Sequence, residues 1–366
     1  MKIIFITREG FRLPGARVRC YNFAKEVSKY GISTEVLSFS DKLGARDGEN
    51  ESSMSLKDKM WVNLLALKKL LQERDSIFYI QRFNYHAFAP YIAHLINKNR
   101  IILDLDDWEM RENPKYYFKF YPSSKAHYLT ARIAKSSICC IAASSFLKEF
   151  LLSFNKHVYH IPSGVDTELF KPSAHALNTN KIIFSWIGTF HKKEYIENIK
   201  FALDCFKIIR KDYQNIYFEI AGDGIYKNNL VDMINQYNDS NISLKAWMDP
   251  EHMPDYLNSI DIGLFPVVKK NKFNLAKSPT KLFEYMSMAK PTISSEFGEA
   301  KVIIRNNETG LLASSQTEFI SCMRTLIENP ELGRDMGKKA RIEAENFYSL
   351  KILGKNLAGI IKSFAS

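Results

Sequence analysis

Short apolar runs of strand length alternate with amphipathic stretches along nearly the whole chain, and that order admits few folds. A strand that leads into a crossover helix returns to a parallel neighbour, so the pattern predicts parallel sheets with helices on both faces. In the first half, strands are expected near Lys2–Thr7, Thr34–Phe39, Ile77–Gln81, Arg100–Asp104, Ser137–Ala142 and Val158–Ile161. A helix is expected over Val18–Tyr30, stopped by Gly31. Ser40–Lys59 is polar, charged and glycine-containing, and reads as a surface loop. A second set of elements begins after the stretch from Pro162 to Pro172 and the polar run Ser173–Asn180. Its strands are expected at Lys181–Trp186, Ile216–Ala221, Ile242–Lys245, Ile262–Phe265, Pro291–Ser294 and Gly310–Ala313, before helical segments over Glu331–Phe347 and Leu350–Phe364.

A chain of 366 residues exceeds the usual size of one core. The expected fold class is therefore α/β, with two Rossmann-like, doubly wound parallel-sheet domains. Residues 1–172 form the first, 173–347 the second, and 348–366 a C-terminal helix returning toward the first. Two such halves imply a central cleft bounded by strand ends, where ligands of open sheets bind.

The opening run from Met1 to Glu9 is too short in apolar residues for a signal peptide, and no uninterrupted apolar run reaches membrane-spanning length. Five cysteines (Cys20, Cys139, Cys140, Cys205, Cys322) include no C-x-x-C pair, and their odd number argues against a disulfide framework. A reducing cytoplasm is the expected compartment. The net charge of +11 is uneven, with +8 in residues 1–172 and +3 in the remainder. Such a basic half attracts anionic lipid headgroups or a phosphorylated substrate. Its charges are scattered and no base-reading motif accompanies them, so nucleic acid is not an expected partner.

The stretch Ser278-Pro-Thr-Lys-Leu-Phe-Glu-Tyr-Met-Ser-Met-Ala-Lys-Pro-Thr-Ile-Ser-Ser295 carries the most chemistry. Ser278 suits an N-cap and Pro279 the first helical position, while Leu282, Phe283, Met286 and Ala289 give an apolar face. The backbone of Thr280 and Lys281 then forms an anion site, with the Glu284 carboxylate one turn on as an acceptor for two hydroxyls. Pyrophosphate at the helix tip and ribose at the glutamate would suit a nucleotide sugar. The plainer alternative is an ordinary capped helix with a solvated glutamate.

Six stretches, this one among them, decide between the two. In order, they are Ile161-Pro-Ser-Gly-Val-Asp-Thr-Glu-Leu-Phe-Lys-Pro172, Trp186-Ile-Gly-Thr-Phe-His191, Phe218-Glu-Ile-Ala-Gly-Asp-Gly224, Asp261-Ile-Gly-Leu-Phe-Pro266, Ser278–Ser295 and Asn307-Glu-Thr-Gly-Leu-Leu312. With these the sequence resembles the glycosyltransferases of family 4, retaining enzymes with the two-Rossmann GT-B fold. Arg12-Leu-Pro-Gly-Ala-Arg17 and Asp104-Leu-Asp-Asp107 match more loosely.

The resemblance implies specific roles. Glu284 corresponds to the second glutamate of the family's E-x₇-E motif and would hold the ribose hydroxyls. Ser278, Thr280 and Lys281 would meet the donor diphosphate. Gly188 ends the first strand of the donor domain, and a cation soon after it, Lys193 or Lys192, would reach the phosphates. Lys193 and Glu284 are thus the residues expected to carry catalysis. Met248 would touch the nucleotide base, and Gly15 would let first-domain backbone approach the diphosphate. The first glutamate of the motif falls on Ala276, a departure shared by a branch with an S-P-x-K-x-F-E-Y pattern; Asn274 or Lys277 would then contact the donor.

No cofactor and no metal are expected, the nucleotide-diphosphate sugar being a substrate. Asp104-Leu-Asp106 invites a metal-binding D-x-D reading, but a strand-end aspartate that caps a loop or orients an acceptor is favoured, with Asp106 and Asp107 on the acceptor side. Gly222-Asp-Gly224 is more readily a tight turn than a ligand contact. The expected partners are a nucleotide sugar, a glycan or lipid-linked glycan acceptor, and an anionic membrane surface at the inner leaflet. Asn113–Lys125, which interleaves aromatics and lysines, is either an acceptor-side wall or a solvated connector. Two other functions stay open: a nucleotide-sugar epimerase of the same build, and a non-catalytic binding or scaffold protein, for which Ala276 is the main argument.

Overall fold

The computed structural model describes residues 1–46, 53–110, 116–117, 121–122, 125–173 and 181–364. The chain forms two compact units. The first contains Met1–Gly164, Leu275–Ser278 and Leu350–Ser366, and the second Val165–Asn274 and Pro279–Ser349.

The strands of the first unit are β1 (Lys2–Thr7), β2 (Ser33–Ser38), β3 (Ser76–Gln81), β4 (Ile101–Leu105), the short antiparallel pair β5 (Tyr116–Tyr117) and β6 (Tyr121–Pro122), β7 (Cys139–Ala142) and β8 (Val158–His160). Six of them form one parallel sheet in the order β2-β1-β3-β4-β7-β8. Successive side chains of a strand point to opposite faces. Ile4, Ile6, Phe78, Ile80 and Leu103 accordingly enter one apolar cluster, and Ile3, Phe5, Ile77, Tyr79 and Ile102 the other. Burial on both faces explains why these strands read as unbroken apolar runs.

The second cluster also holds Leu353, Leu357 and Ile361 of the helix Leu350–Ser363. That helix lies close to Phe23–Ser28, since a Cβ added at Gly354 would stand 2.3 Å from the Glu26 Cβ.

The second unit contains β9 (Ile182–Ile187), β10 (Ile216–Ala221), β11 (Ile242–Lys245), β12 (Ile262–Phe265), β13 (Thr292–Ser295) and β14 (Leu311–Ala313). These make a parallel sheet in the order β11-β10-β9-β12-β13-β14. The expected α/β class with two doubly wound sheets is what the chain adopts. The two strand orders differ, however. The strand order reverses between β1 and β3 in the first sheet and between β9 and β12 in the second, and open sheets bind ligands at such points.

Three local expectations need correcting. The first helical stretch begins at Pro14 rather than Val18 and widens into a π turn over Arg17–Asn22 before continuing through Phe23–Ser28. Ser40–Lys59 is not one loop: Phe39–Leu43 is helical, and a capping box between Ser55 and Asp58 starts a long helix at Leu56. Val165 and Phe170, expected in the first domain of residues 1–172, are buried in an apolar cluster with Tyr256, Leu257 and Phe283 of the second unit. The segment 113–125 lies outside the residues whose side chains are described.

Candidate active site

The C-terminal end of β9 brings together residues that sequence reading kept separate. Gly188 follows the strand with φ of +148°, and a Cβ built on it would stand 2.6 Å from Lys281 Nζ and 3.0 Å from Trp186 Cη2. Glycine is required twice over, for the backbone angle and for the space. The Lys281 ammonium sits 3.7 Å from the Trp186 ring centroid and 5.8 Å from that of Phe265. Trp186 belongs to β9 and Phe265 to β12, so the cation straddles the point where the strand order reverses. Sequence reading gave Lys281 only a backbone role; its side chain is the cation nearest Gly188 in the described geometry.

The helix Thr280–Ser287 starts here, and no side chain caps it. Its N-cap is Pro279, not Ser278. The Ser278 hydroxyl instead accepts a hydrogen bond of 2.9 Å from the Ser163 N–H. Glu284 is half-buried one turn beyond Thr280. The helix is fixed by Leu282, Phe283, Tyr285 and Met286. The buried Tyr285 hydroxyl accepts from the Ile187 N–H at 3.2 Å and donates to the Ser185 carbonyl at 3.0 Å. Its ring fills the place where a Cβ on Gly263 would lie, 2.5 Å away. Tyr285 thereby ties the helix to the end of β9, a role its position in the motif did not reveal. Met248 is half-buried against the same apolar cluster as Ile187 and Leu282.

Other residues expected at this site are committed elsewhere or stand apart. Lys192 Nζ lies 3.4 Å from the Phe273 ring centroid, and Lys193 is exposed at the first position of the helix Lys193–Ile209. The Asn274 amide donates to the Lys269 carbonyl at 2.9 Å. Ala289 lies past the helix end with φ of +54° rather than on its apolar face. Ala276 is fully buried in a cluster of the first unit that includes Ile4, Phe78 and Leu103. The position that the family motif gives to a glutamate is therefore a core position in this chain, and a carboxylate there would be desolvated. Gly222 and Gly224 pack on backbone, with built Cβ atoms 1.8 Å from the Gly188 carbonyl oxygen and 2.6 Å from the Phe190 carbonyl carbon. They are close-packing glycines.

In the first unit, Gly15, Asp106 and Asp107 share one neighbour that sequence reading missed, Arg82. A Cβ on Gly15 would stand 2.8 Å from Arg82 Nη2 and 3.6 Å from Asp106 Oδ2. Arg82, itself at φ of +46°, pairs with Asp106 at 3.0 Å, Glu9 at 3.2 Å and Asp107 at 3.7 Å. Asp106 also accepts from Gln81 Nε2 at 2.8 Å. Burial nevertheless pushes its carboxyl up to about 6, with Arg82 opposing. His86 is buried beside Arg8, Glu9 and Arg82; its Nε2 lies 2.9 Å from the Gln81 carbonyl oxygen, and burial lowers its pKa to about 3.

Asp104 is bound bidentately by Arg19 at 2.8 and 2.5 Å, both side chains being fully buried. Its carboxylate is engaged in a buried ion pair rather than capping a loop. The missed signals were charges inside apolar runs, Arg19 and Asp104, and an arginine directly after a strand, Arg82.

Comparison with known proteins bears on the second unit above all. Residues 181–329 match the family described as "Glycosyl transferases group 1". A curated relative, TuaH of Bacillus subtilis, assigned to teichuronic acid biosynthesis as a glycosyltransferase, is 25% identical over 56% of this chain and 53% of its own length. The match thus spans about half of that protein. Among solved structures, sucrose-phosphate synthase from Thermosynechococcus elongatus has a TM-score of 0.77 at 12% identity, covering 100% of this chain and 99% of that one. HepE of Anabaena, solved in complexes with UDP and with UDP-glucose, has TM-scores of 0.73 and 0.74, covering 99% of this chain and 100% of that one at 13–14% identity. The fold is GT-B, and over residues 181–329 the chain is similar to the glycosyltransferase group 1 family.

Proposed function

We propose that this protein is a retaining glycosyltransferase that moves a hexose from a nucleotide-diphosphate sugar to a hydroxyl of a glycan or lipid-linked glycan. Cell-surface polysaccharide assembly on the cytoplasmic side of a membrane is the process it would serve. The observation that carries this reading is the Lys281 ammonium held over Gly188 at the reversal point of the second sheet, next to a helix start that no side chain caps. An ammonium and helix amides favour a diphosphate, and they gain strength as charge builds on it during departure.

In this reading Lys281 and the amides of Thr280 and Lys281 stabilise the leaving diphosphate, with Lys192 or Lys193 as a second cation. Glu284 accepts hydrogen bonds from the ribose, and Met248 borders the base. The acceptor oxygen forms the new bond to the anomeric carbon on the face the diphosphate leaves. The departing phosphate oxygen takes both the bonding pair and the acceptor's proton. No metal or cofactor is assigned to the reaction. Relatives described with UDP-glucose and with teichuronic acid biosynthesis support this choice of donor and product class.

Incubation with UDP-, GDP- and CMP-linked sugars, with and without glycan acceptors, tests the proposal. Free nucleotide that appears only with acceptor, and a product retaining the donor's anomeric configuration by NMR, is the expected result. Isomerised sugar without acceptor would indicate an epimerase, and binding without turnover a scaffold; either overturns the reading.

A further inference from the structure

Two neighbouring helices of the first unit turn large apolar side chains away from their own core. On Leu56–Leu70 the buried positions Val62, Ala66 and Leu70 recur every four residues and pack into the sheet's apolar cluster. A second stripe on the same helix carries Leu56, Met60 and Leu64, also four apart, with Trp61 beside them; these are 75%, 59%, 56% and 62% exposed. Phe88–Asn97 repeats the arrangement. Ala89, Pro90 and Ala93 are buried, while Phe88, Ile92 and Ile96 are 42%, 39% and 60% exposed.

The helices lie side by side, joined by a bond of 3.1 Å from the Ala89 N–H to Asn63 Oδ1 and one of 2.9 Å from Asn97 Nδ2 to the Leu71 carbonyl. The outward stripes therefore belong to one surface. Single exposed apolar residues are unremarkable, but contiguous ones on adjacent helices mark an interaction face.

Charge identifies what fits that face. Lys57 and Lys68 fall by helical spacing on the same side as Leu56, Met60 and Trp61; both are exposed, and neither forms an ion pair among the described residues. The one acidic residue of Leu56–Leu70, Asp58, is engaged in the capping box with Ser55. Lys98 follows the second helix and is exposed. Apolar stripes with a tryptophan and lysines on long stems suit the boundary between headgroups and acyl chains, where ammonium groups reach anionic lipid while the stems stay apolar. A second copy fits less well, because a two-fold contact would lay each lysine-bearing stripe on its equivalent.

We infer that this two-helix face docks on an anionic membrane surface. The inference stands apart from the sugar-transfer reading, since it rests on a different face of the first unit's sheet elements and needs no nucleotide. It also differs from a purely electrostatic attraction of the basic first half, because it requires the apolar stripes.

The test is flotation of the full chain with vesicles of phosphatidylcholine alone, or with about a third phosphatidylglycerol. Two variants are compared with wild type, Trp61→Ser/Leu64→Ser/Ile96→Ser and Lys57→Glu/Lys68→Glu. Their melting temperatures and nucleotide-sugar binding in solution are measured alongside, so that a misfolded variant or a failed catalytic reading shows separately. Wild type should float with the anionic vesicles only, and each variant should lose about tenfold or more in partitioning with melting unchanged. Wild type that does not float, or an apolar variant that floats as wild type does, overturns the inference. So does light scattering that shows a dimer which the apolar variant dissociates, with no vesicle binding, since a second copy would then cover the face.

Discussion

In the first unit the reversal point between β1 and β3 is occupied by the chain's own charges. In the second, the equivalent point between β9 and β12 presents a glycine and an ammonium. Thr7 at the end of β1 donates to Gln81 at the end of β3 at 2.7 Å, and Glu9 and Arg82, which follow these strands, pair at 3.2 Å. Gly188 and Gly222 in the second unit offer backbone without side chains, and the nearby Lys281 rests on aromatic rings. The same type of sheet edge thus carries ion-paired side chains in one unit and bare glycine backbone beside a lysine in the other. The lesson is that parallel-sheet topology supplies the location of a site, whereas the residues gathered at the strand ends set its chemistry.

The largest expected effect tests how far the first unit depends on its internal charges. Arg19→Leu leaves Asp104 buried without its partner and should cost about 3–5 kcal/mol in chemical denaturation. Arg19→Leu/Asp104→Leu should recover much of that loss. A single variant as stable as wild type would show that the pair does not organise this sheet.

Ala276→Glu comes next. Burying a carboxylate among Ile4, Phe78 and Leu103 should destabilise the protein by roughly 2–4 kcal/mol, measured in the same way. A stable variant with stronger donor binding would mean that the motif's first glutamate can still act from this position.

Lys281→Met sharpens the second unit's side of the contrast. Loss of one charge-assisted contact should weaken nucleotide-sugar binding about 10- to 100-fold in calorimetry, with melting little changed. Lys192→Met, whose ammonium lies on Phe273 instead, should weaken it less. The reverse ranking would move the diphosphate site away from Gly188.

The smallest effect is a pH dependence of opposing signs in the first unit. Between roughly pH 4 and 6 the unfolded chain releases the Asp106 proton that the native state keeps, so this group makes stability fall as pH rises. Between roughly pH 3 and 6.5 the unfolded chain protonates His86 while the native state does not, so this group makes stability rise with pH. Asp106→Asn should therefore steepen the acid-side rise in stability, and His86→Gln should flatten or invert it. Stability measured by urea titration across that range, unchanged in slope for both variants, would contradict the burial argument.

Much of the second unit could be read from the chain directly. β10, β11 and β12 fall on the expected residues, and helix and strand around Ser278–Ser295 follow from the apolar spacing and from Pro291. Gly188 and Lys281 were both legible as candidates, but not their apposition across 93 residues of chain. The first unit concealed more. Arg19 and Asp104 look like interruptions of apolar runs until the fold pairs them, and Arg82 gathers carboxylates from segments after β1 and β4.

The sequence alone determined the parallel α/β architecture, because hydrophobic periodicity and turn residues are local properties that each segment carries with it. It also marked the stretch in which the helix Thr280–Ser287 and the strand Thr292–Ser295 form. The tertiary structure decided that Ser278 bonds to Ser163 rather than capping that helix, that Ala276 is core, and which charges are spent within the protein. Those outcomes depend on distances between segments remote in the chain, and Coulomb and desolvation energies are set by such distances and by burial.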